Sequence, residues 1–232
     1  MATMKEVEQL RRGLPEHPFL ERAYSLAEKL HRGQERKHSG DPYIIHPVRV
    51  ALRIYRELGR VSKTASYAAS VYFGLGVALL HDVVEDTDVL LQDLAESLEG
   101  SLDPAKIQAP GDQKTVGELV VEELVPLTIN PAFKGLRRYR KVAQNAQIRG
   151  GSVLARVIKL SDRLDNLQEF QLRGPDQRFV REKYIPETVD LLEAIQSANR
   201  TLPDNTWEMY PWGDHVEDTL LPQLESLIEN WP

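Results

Sequence analysis

Cysteine is absent from this sequence, and so is any basic excess. Without a thiol there can be no disulfide framework, no thiolate zinc or iron–sulfur site and no cysteine nucleophile, so a metal would have to be held by imidazole and carboxylate. The same absence suits a reducing cytoplasm, the localisation we expect. With 29 Lys and Arg against 35 Asp and Glu the formal net charge is −6. That balance argues against a nucleic-acid binder, although a local basic cluster can still hold a phosphorylated small molecule. The longest weakly charged stretch, Ala65 to Leu80, ends in His81-Asp82 and falls short of the ~20 residues that span a bilayer. It reads as a buried helix, and no membrane association is expected. Met1 to Leu14 is charged and polar and lacks the apolar run of a signal peptide.

What is present is helical periodicity, with no convincing run of alternating β-branched residues. The 232 residues are 41% apolar and 28% charged, the balance of an ordinary globular chain. We expect an all-α fold in a single domain over 1–232, its core at about 20–199, followed by an irregular stretch and a helix over 200–232. The pattern predicts helices at about 18–32, 47–58, 62–85, 89–98, 116–125, 135–149, 152–171, 177–199 and 217–230. Thr115-Val116-Gly117-Glu118 reads as a capping box, and Gly150-Gly151 as a stop between two helices. Glu99 to Lys114 and Thr201 to His215 read as irregular, the second carrying Trp207, Tyr210 and Trp212 as packing aromatics.

Three segments carry the chemistry. In the first, Leu79 to Thr87, a helix would set His81, Glu85, Asp82 and Asp86 at about 0°, 40°, 100° and 140°, crowding an imidazole and three carboxylates onto one face. Such a face is either a solvated acidic patch or a site that needs a cation or substrate group to offset its charge. In the second, Leu154 to Phe170, an apolar stripe of Val157, Leu160, Leu164 and Leu167 leaves Asp162, Asn166 and Glu169 on another face. Arg156, Lys159 and Arg163 are near enough to pair with Asp162 in the ordinary way. In the third, Arg36 to Pro47, a Ser-Gly-Asp-Pro turn leads to Pro47 in the first turn of a helix, with His46 beside its N-terminus.

In this order the segments resemble the metal-dependent HD-domain phosphohydrolases, and more narrowly the hydrolase domain of RelA/SpoT-type alarmone enzymes and the small alarmone hydrolases. The matching stretches are Arg36-Lys37 with Pro42-Tyr43-Ile44-x-His46-Pro47, His81-Asp82-x-x-Glu85-Asp86-Thr87, and Lys159-Leu160-x-Asp162-Arg163-x-x-Asn166. The resemblance implies an HD helical bundle in which His46, His81, Asp82 and Asp162 ligate one divalent metal, Mn²⁺ by family habit, with Fe²⁺ or another divalent ion equally compatible with the ligand types. It implies that Glu85 and Asp86 orient or deprotonate the attacking water, that Arg36 and Lys37 contact the nucleotide, and that Asn166 and Tyr184 lie beside it. The implied partner is a phosphorylated purine nucleotide, and the implied reaction is removal of the 3′-pyrophosphate from guanosine tetra- or pentaphosphate. Another nucleotide, such as an adenine alarmone or NADPH, is the alternative substrate, and a non-catalytic nucleotide-binding module the alternative class. The sequence departs from the family at Asp165, where His or an aromatic is common, at Glu169, and in a longer connection around Gly59 to Ala69.

The basic cluster Lys134, Arg137, Arg138, Arg140 and Lys141 could reach distal phosphates, with Arg137 and Arg140 the pair to test, or could be an exposed helix face. His17 and His215 read as surface residues, and His31 and His38 as neighbours of the site or solvent-facing side chains rather than ligands. The sequence leaves oligomeric state open.

Overall fold

The computed structural model describes residues 2–58, 65–108, 111–129, 137–174, 176–200 and 219–232. They form helices α1 (Met4–Arg11), α2 (Pro18–Leu30), α3 (Ile45–Leu58), α4 (Ala65–Leu80), α5 (Val83–Asp86), α6 (Leu91–Leu98), α7 (Val116–Leu124), α8 (Arg137–Gly150), α9 (Val153–Arg173), α10 (Gln177–Phe179), α11 (Ile185–Asn199) and α12 (Leu221–Glu229). A 3₁₀ turn spans Pro104–Lys106, and a π-helical turn, Val180–Tyr184, runs between α10 and α11. Among the described residues there is no strand, only an isolated bridge between Glu35 and Pro42, so the class is all-α as expected.

The helices follow from local chemistry. Thr3 and Glu6 close a capping box on α1, and Thr115 and Glu118 close the expected one on α7. Pro18 occupies the first turn of α2, where its missing N–H costs nothing. The side chain of His17 caps that helix by accepting from the Phe19 amide, and its ring stacks on Tyr72 at 4.4 Å. His17 is therefore a helix cap rather than the plain surface residue we expected.

α4 is apolar all round and sits inside the bundle, with Leu75, Val77, Ala78, Leu79 and Leu80 fully buried. The stretch Ala68–Asp86 is long and apolar enough by length and composition to cross a membrane, and 67% of its most apolar window is buried within the fold. α2 and α3 pack on α4, α9 packs on α3, α12 on α9, and α8 on α11. Gly76 permits the approach of α2, because a Cβ there would stand 2.1 Å from the Phe19 ring. α9 is buried along most of its length, which brings polar side chains at 156, 159, 162, 163, 165 and 169 into the interior beside the leucines.

Two expectations are corrected. The helix expected over 62–85 does not run through: α4 ends at Leu80, His81-Asp82 form a turn, and α5 restarts at Val83. α1, which we had not expected, is a helix whose capping box stood in the sequence at Thr3-x-x-Glu6. Trp207, Tyr210, Trp212, His215 and Lys134 lie outside the described residues, as does the side chain of Arg138.

Candidate metal centre

The break at His81-Asp82 shapes the site. On an unbroken helix neighbouring residues point about 100° apart and do not face one another. In the turn they do converge: Asp82 Oδ2 lies 3.2 Å from His81 Nε2 and 3.5 Å from His46 Nε2. From α9, Asp162 Oδ1 comes within 3.2 Å of His46 Nε2. Donor atoms of His46, His81 and Asp162 all lie within 4.8 Å of one another. Adjacent ligands bound at about 2.1 Å in octahedral or tetrahedral geometry stand roughly 3.0–3.4 Å apart, so the 3.2–3.5 Å separations suit a single divalent ion.

The proton inventory agrees. His46 Nδ1 and His81 Nδ1 are engaged by Asp165 Oδ2 and the Ala78 carbonyl, each at 2.8 Å. Both Nε2 atoms are buried and have no aligned hydrogen-bond partner. Two orphaned imidazole nitrogens facing two carboxylates, without sulfur, fit a borderline divalent metal. Burial and Arg36 pull the His46 pKa down, yet Asp162 and Asp165 push it up to about 9, so an ion bound at Nε2 would displace a proton held there by the carboxylates. Burial would raise both carboxyls, but His81 and His46 hold Asp82 low, and Lys159 and His46 hold Asp162 well below the ordinary carboxylate range. Lys159, 7% exposed, places Nζ 2.8 Å from Asp162 Oδ2 and supplies the pairing we expected there.

Around this centre runs a ring of contacts the sequence reading missed. The Tyr43 hydroxyl lies 2.5 Å from Asp86 Oδ2 and 2.9 Å from Asp82 Oδ2, so one phenolic proton serves two carboxylates. Burial, and then Asp82 and Asp86, keep that phenol protonated. Tyr43 stacks on His31 at 4.6 Å, His31 Nδ1 meets Gln34 Oε1 at 2.7 Å, and the Gln34 amide donates to the Asp86 carbonyl at 2.9 Å. Glu85 and Asp86 stand at the solvent-exposed rim. Partial burial and neighbouring carboxylates, Asp82 and Asp86 for Glu85 and Asp82 for Asp86, raise both pKa values; Lys159 opposes the rise at Glu85 and Tyr43 at Asp86.

Arg36 donates from Nε to Glu169 at 3.1 Å and from Nη2 to Asn166 at 2.6 Å, and Asn166 donates to Asp162 Oδ1 at 2.5 Å. These residues thus form one chain leading to a candidate ligand. Lys37 is exposed. Tyr184, in the π-helical turn, meets Phe170 edge-on at 4.8 Å and carries the Arg163 guanidinium 4.6 Å above its ring. Arg163 is 3% exposed, and its Nε and Nη1 have no hydrogen-bond partner. Arg156 does not pair with Asp162; it closes the end of α8 by donating to the Ile148, Arg149 and Gly151 carbonyls.

The basic cluster on α8 divides. Arg137 pairs with Glu187 and lies over Phe179 at 5.2 Å. Arg140 Nε is buried and unpartnered. Burial, Arg163 and Lys159 lower the Lys141 pKa to about 7, and its Nζ donates to Gln144 Oε1 at 3.2 Å.

These features define an all-α domain of the HD type, with a metal-ready His/Asp centre joined by α3, the α4–α5 turn and α9. No family model matches the chain. It is 35% identical over 192 residues to a GTP pyrophosphokinase of Streptomyces coelicolor, covering 82% of this chain and 19% of that protein. It is also 35% identical over 185 residues to a guanosine-3′,5′-bis(diphosphate) 3′-pyrophosphohydrolase of Vibrio cholerae, covering 76% of this chain and 21% of that protein. The chain thus spans about a fifth of the length of the curated relatives it matches. A solved structure described as a metazoan ortholog of SpoT that hydrolyzes ppGpp shares the fold, with a TM-score of 0.63, 23% identity and coverage of 93% of this chain and 96% of that one. The chain belongs to the RelA/SpoT HD-type domains.

Proposed function

We propose that this chain removes the 3′-pyrophosphate from guanosine tetra- or pentaphosphate, giving GDP or GTP and pyrophosphate, with one Mn²⁺ held by His46, His81, Asp82 and Asp162. The observation that carries the reading is the pair of buried, unpartnered Nε2 atoms facing two carboxylates, beside a second carboxylate pair at the rim. The pyrophosphohydrolase names among the relatives support the substrate. A bound divalent ion would acidify a water and hold a phosphate oxygen.

The chain's own residues supply the rest. Glu85 takes the proton of the attacking water, and Asp86, held by Tyr43, orients that water. Water oxygen bonds to the phosphorus esterified at the 3′ position, the bond from that phosphorus to the 3′ oxygen breaks, and a proton returns to the 3′ oxygen. Arg163, Lys159 and Lys141 face the charge of the departing diphosphate, which answers the unpaired guanidinium donors of Arg163. Arg36, Lys37, Asn166 and Tyr184 line the nucleoside side.

The test is kcat/KM for guanosine tetraphosphate, its adenosine counterpart and NADPH at one Mn²⁺ concentration, with metal content measured on the same preparation. Preference for guanosine tetraphosphate with about one metal per chain is expected. Preference for either other nucleotide overturns the substrate, and absence of turnover on all three overturns the enzyme. In His81→Ala, metal retention and turnover should vanish together while the helical circular dichroism persists.

A further inference from the structure

A carboxylate stands at each ring nitrogen of His46, and the two come from positions three residues apart on α9. Asp162 Oδ1 faces Nε2 at 3.2 Å, and Asp165 Oδ2 meets Nδ1 at 2.8 Å. The i, i+3 spacing sets both side chains on one face of the helix. His46 is fully buried and Asp165 is 3% exposed, so bulk water does not compete for this contact. Asp165 is itself anchored: Arg49 Nη1 lies 3.8 Å from Asp165 Oδ2 and 3.5 Å from Glu169 Oε2, and Arg49 Nη2 lies 3.5 Å from Asp41 Oδ2. Arg49 and Asp165 together line a polar cavity of about 340 Å³ on this side of the fold. His81 differs, since its Nδ1 meets the neutral carbonyl of Ala78.

We propose that Asp165 is the positioning residue of the metal centre, accepting the Nδ1–H of His46 so that the Nε2 lone pair is presented to the ion between Asp82 and Asp162. The inference rests on the metal-centre reading above and adds a residue to it. A neutral imidazole carries one N–H and one lone pair, so an acceptor at Nδ1 fixes which nitrogen is free. A carboxylate acceptor also makes the imidazole a stronger donor than a carbonyl acceptor does, and loss of such partners typically weakens metal binding ~10–100-fold. His46 is then the better-held of the two imidazole ligands, while His81 depends on the α4–α5 turn for its aim.

The experiment is calorimetric titration of Mn²⁺ into the metal-stripped full chain and its Asp165→Asn and Asp165→Ala variants at one pH. The expected order is wild type tightest, Asn intermediate because its amide oxygen still accepts, and Ala weakest by ~10–100-fold, with unchanged helical circular dichroism. A role confined to packing would not be partly rescued by Asn in metal affinity. Equal Mn²⁺ affinity in wild type and a folded Asp165→Ala overturns the proposal. A second measurement needs no variant: nitrogen-15 NMR of the Zn²⁺-loaded wild type should show His46 protonated at Nδ1, and protonation at Nε2 overturns the proposal. Failure of the wild type to bind either metal would remove the metal-centre reading itself, a result distinct from equal binding by wild type and variant.

Discussion

Arg137 and Glu187 form a two-pronged ion pair, Nε to Oε1 at 2.6 Å and Nη2 to Oε2 at 2.8 Å, that fastens α8 to α11. A guanidinium committed to a carboxylate and to the Phe179 ring is a poor partner for a distal phosphate. Arg137→Ala should therefore act on stability, by about 0.2–1 kcal/mol for a half-exposed pair and about as much again for the ring contact. Thermal unfolding should show a drop of a few degrees. The ratio of kcat/KM for guanosine pentaphosphate over tetraphosphate should stay as in wild type; a selective loss on the pentaphosphate would return Arg137 to the substrate site.

Lys141 and Arg163 should behave in the opposite way. Burial first, then Arg163 and Lys159, lower the Lys141 pKa to about 7, so it is cationic below that pH and neutral above it. Inhibition by pyrophosphate should then weaken as pH rises through about 7, beyond the change seen in Lys141→Met. Comparing the two proteins cancels the ligand's own titration. Identical pH profiles would place Lys141 outside the diphosphate site. Arg163→Met should raise KM and make it less sensitive to salt, because a charge contact has been removed.

Glu85 should separate metal binding from chemistry. Glu85→Gln should keep the bound metal and lower kcat by ~10²–10⁴, the usual effect of a lost general base. Burial and its carboxylate neighbours raise the Glu85 pKa, and a base must be ionised to act. Activity should therefore climb with pH along a limb set by Glu85 ionisation, and the limb should disappear in Glu85→Gln. Loss of metal from that variant would make Glu85 a ligand.

Tyr43→Phe removes the one proton shared by Asp82 and Asp86. A hydrogen bond to a charged group contributes roughly 1.5–3 kcal/mol, so kcat should fall at least tenfold if orienting the water depends on it. Substrate KM should change little. Full kcat in the variant would show that Asp86 is held without the phenol.

The sequence made the residue types at the centre legible because they stand in extended motifs, yet it misread how two of them meet. A helical wheel spreads His81 and Asp82 apart, whereas the turn after Leu80 aims both toward His46. Periodicity could not reveal that break, because apolar residues continue across it at Val83 and Val84. Asp165 read only as a departure from a family pattern, since its partner His46 is remote along the chain. Arg36 and Asn166 read as contacts to a nucleotide, and the direct hydrogen bond from Arg36 to Asn166, like that from Arg36 to Glu169, is a long-range contact that no local pattern carries. The capping box of α1, by contrast, stood in plain view at Thr3 and Glu6.

The separation of His46 from Asp162 along the chain also sets an order of events during synthesis. A ribosome that has released α3 through α5 has delivered two imidazoles and Asp82, but neither the carboxylate that completes the centre nor the one that steadies His46. Both arrive together, on a single turn of α9. Capture of an ion at this centre would thus be coupled to the docking of α9, and a captured ion would fasten early and late parts of the chain to each other. At a free metal concentration a hundred times its Kd this linkage is worth about 2.7 kcal/mol against global unfolding, so removal of the metal should loosen α9 from α3 in hydrogen exchange before the rest of the bundle responds.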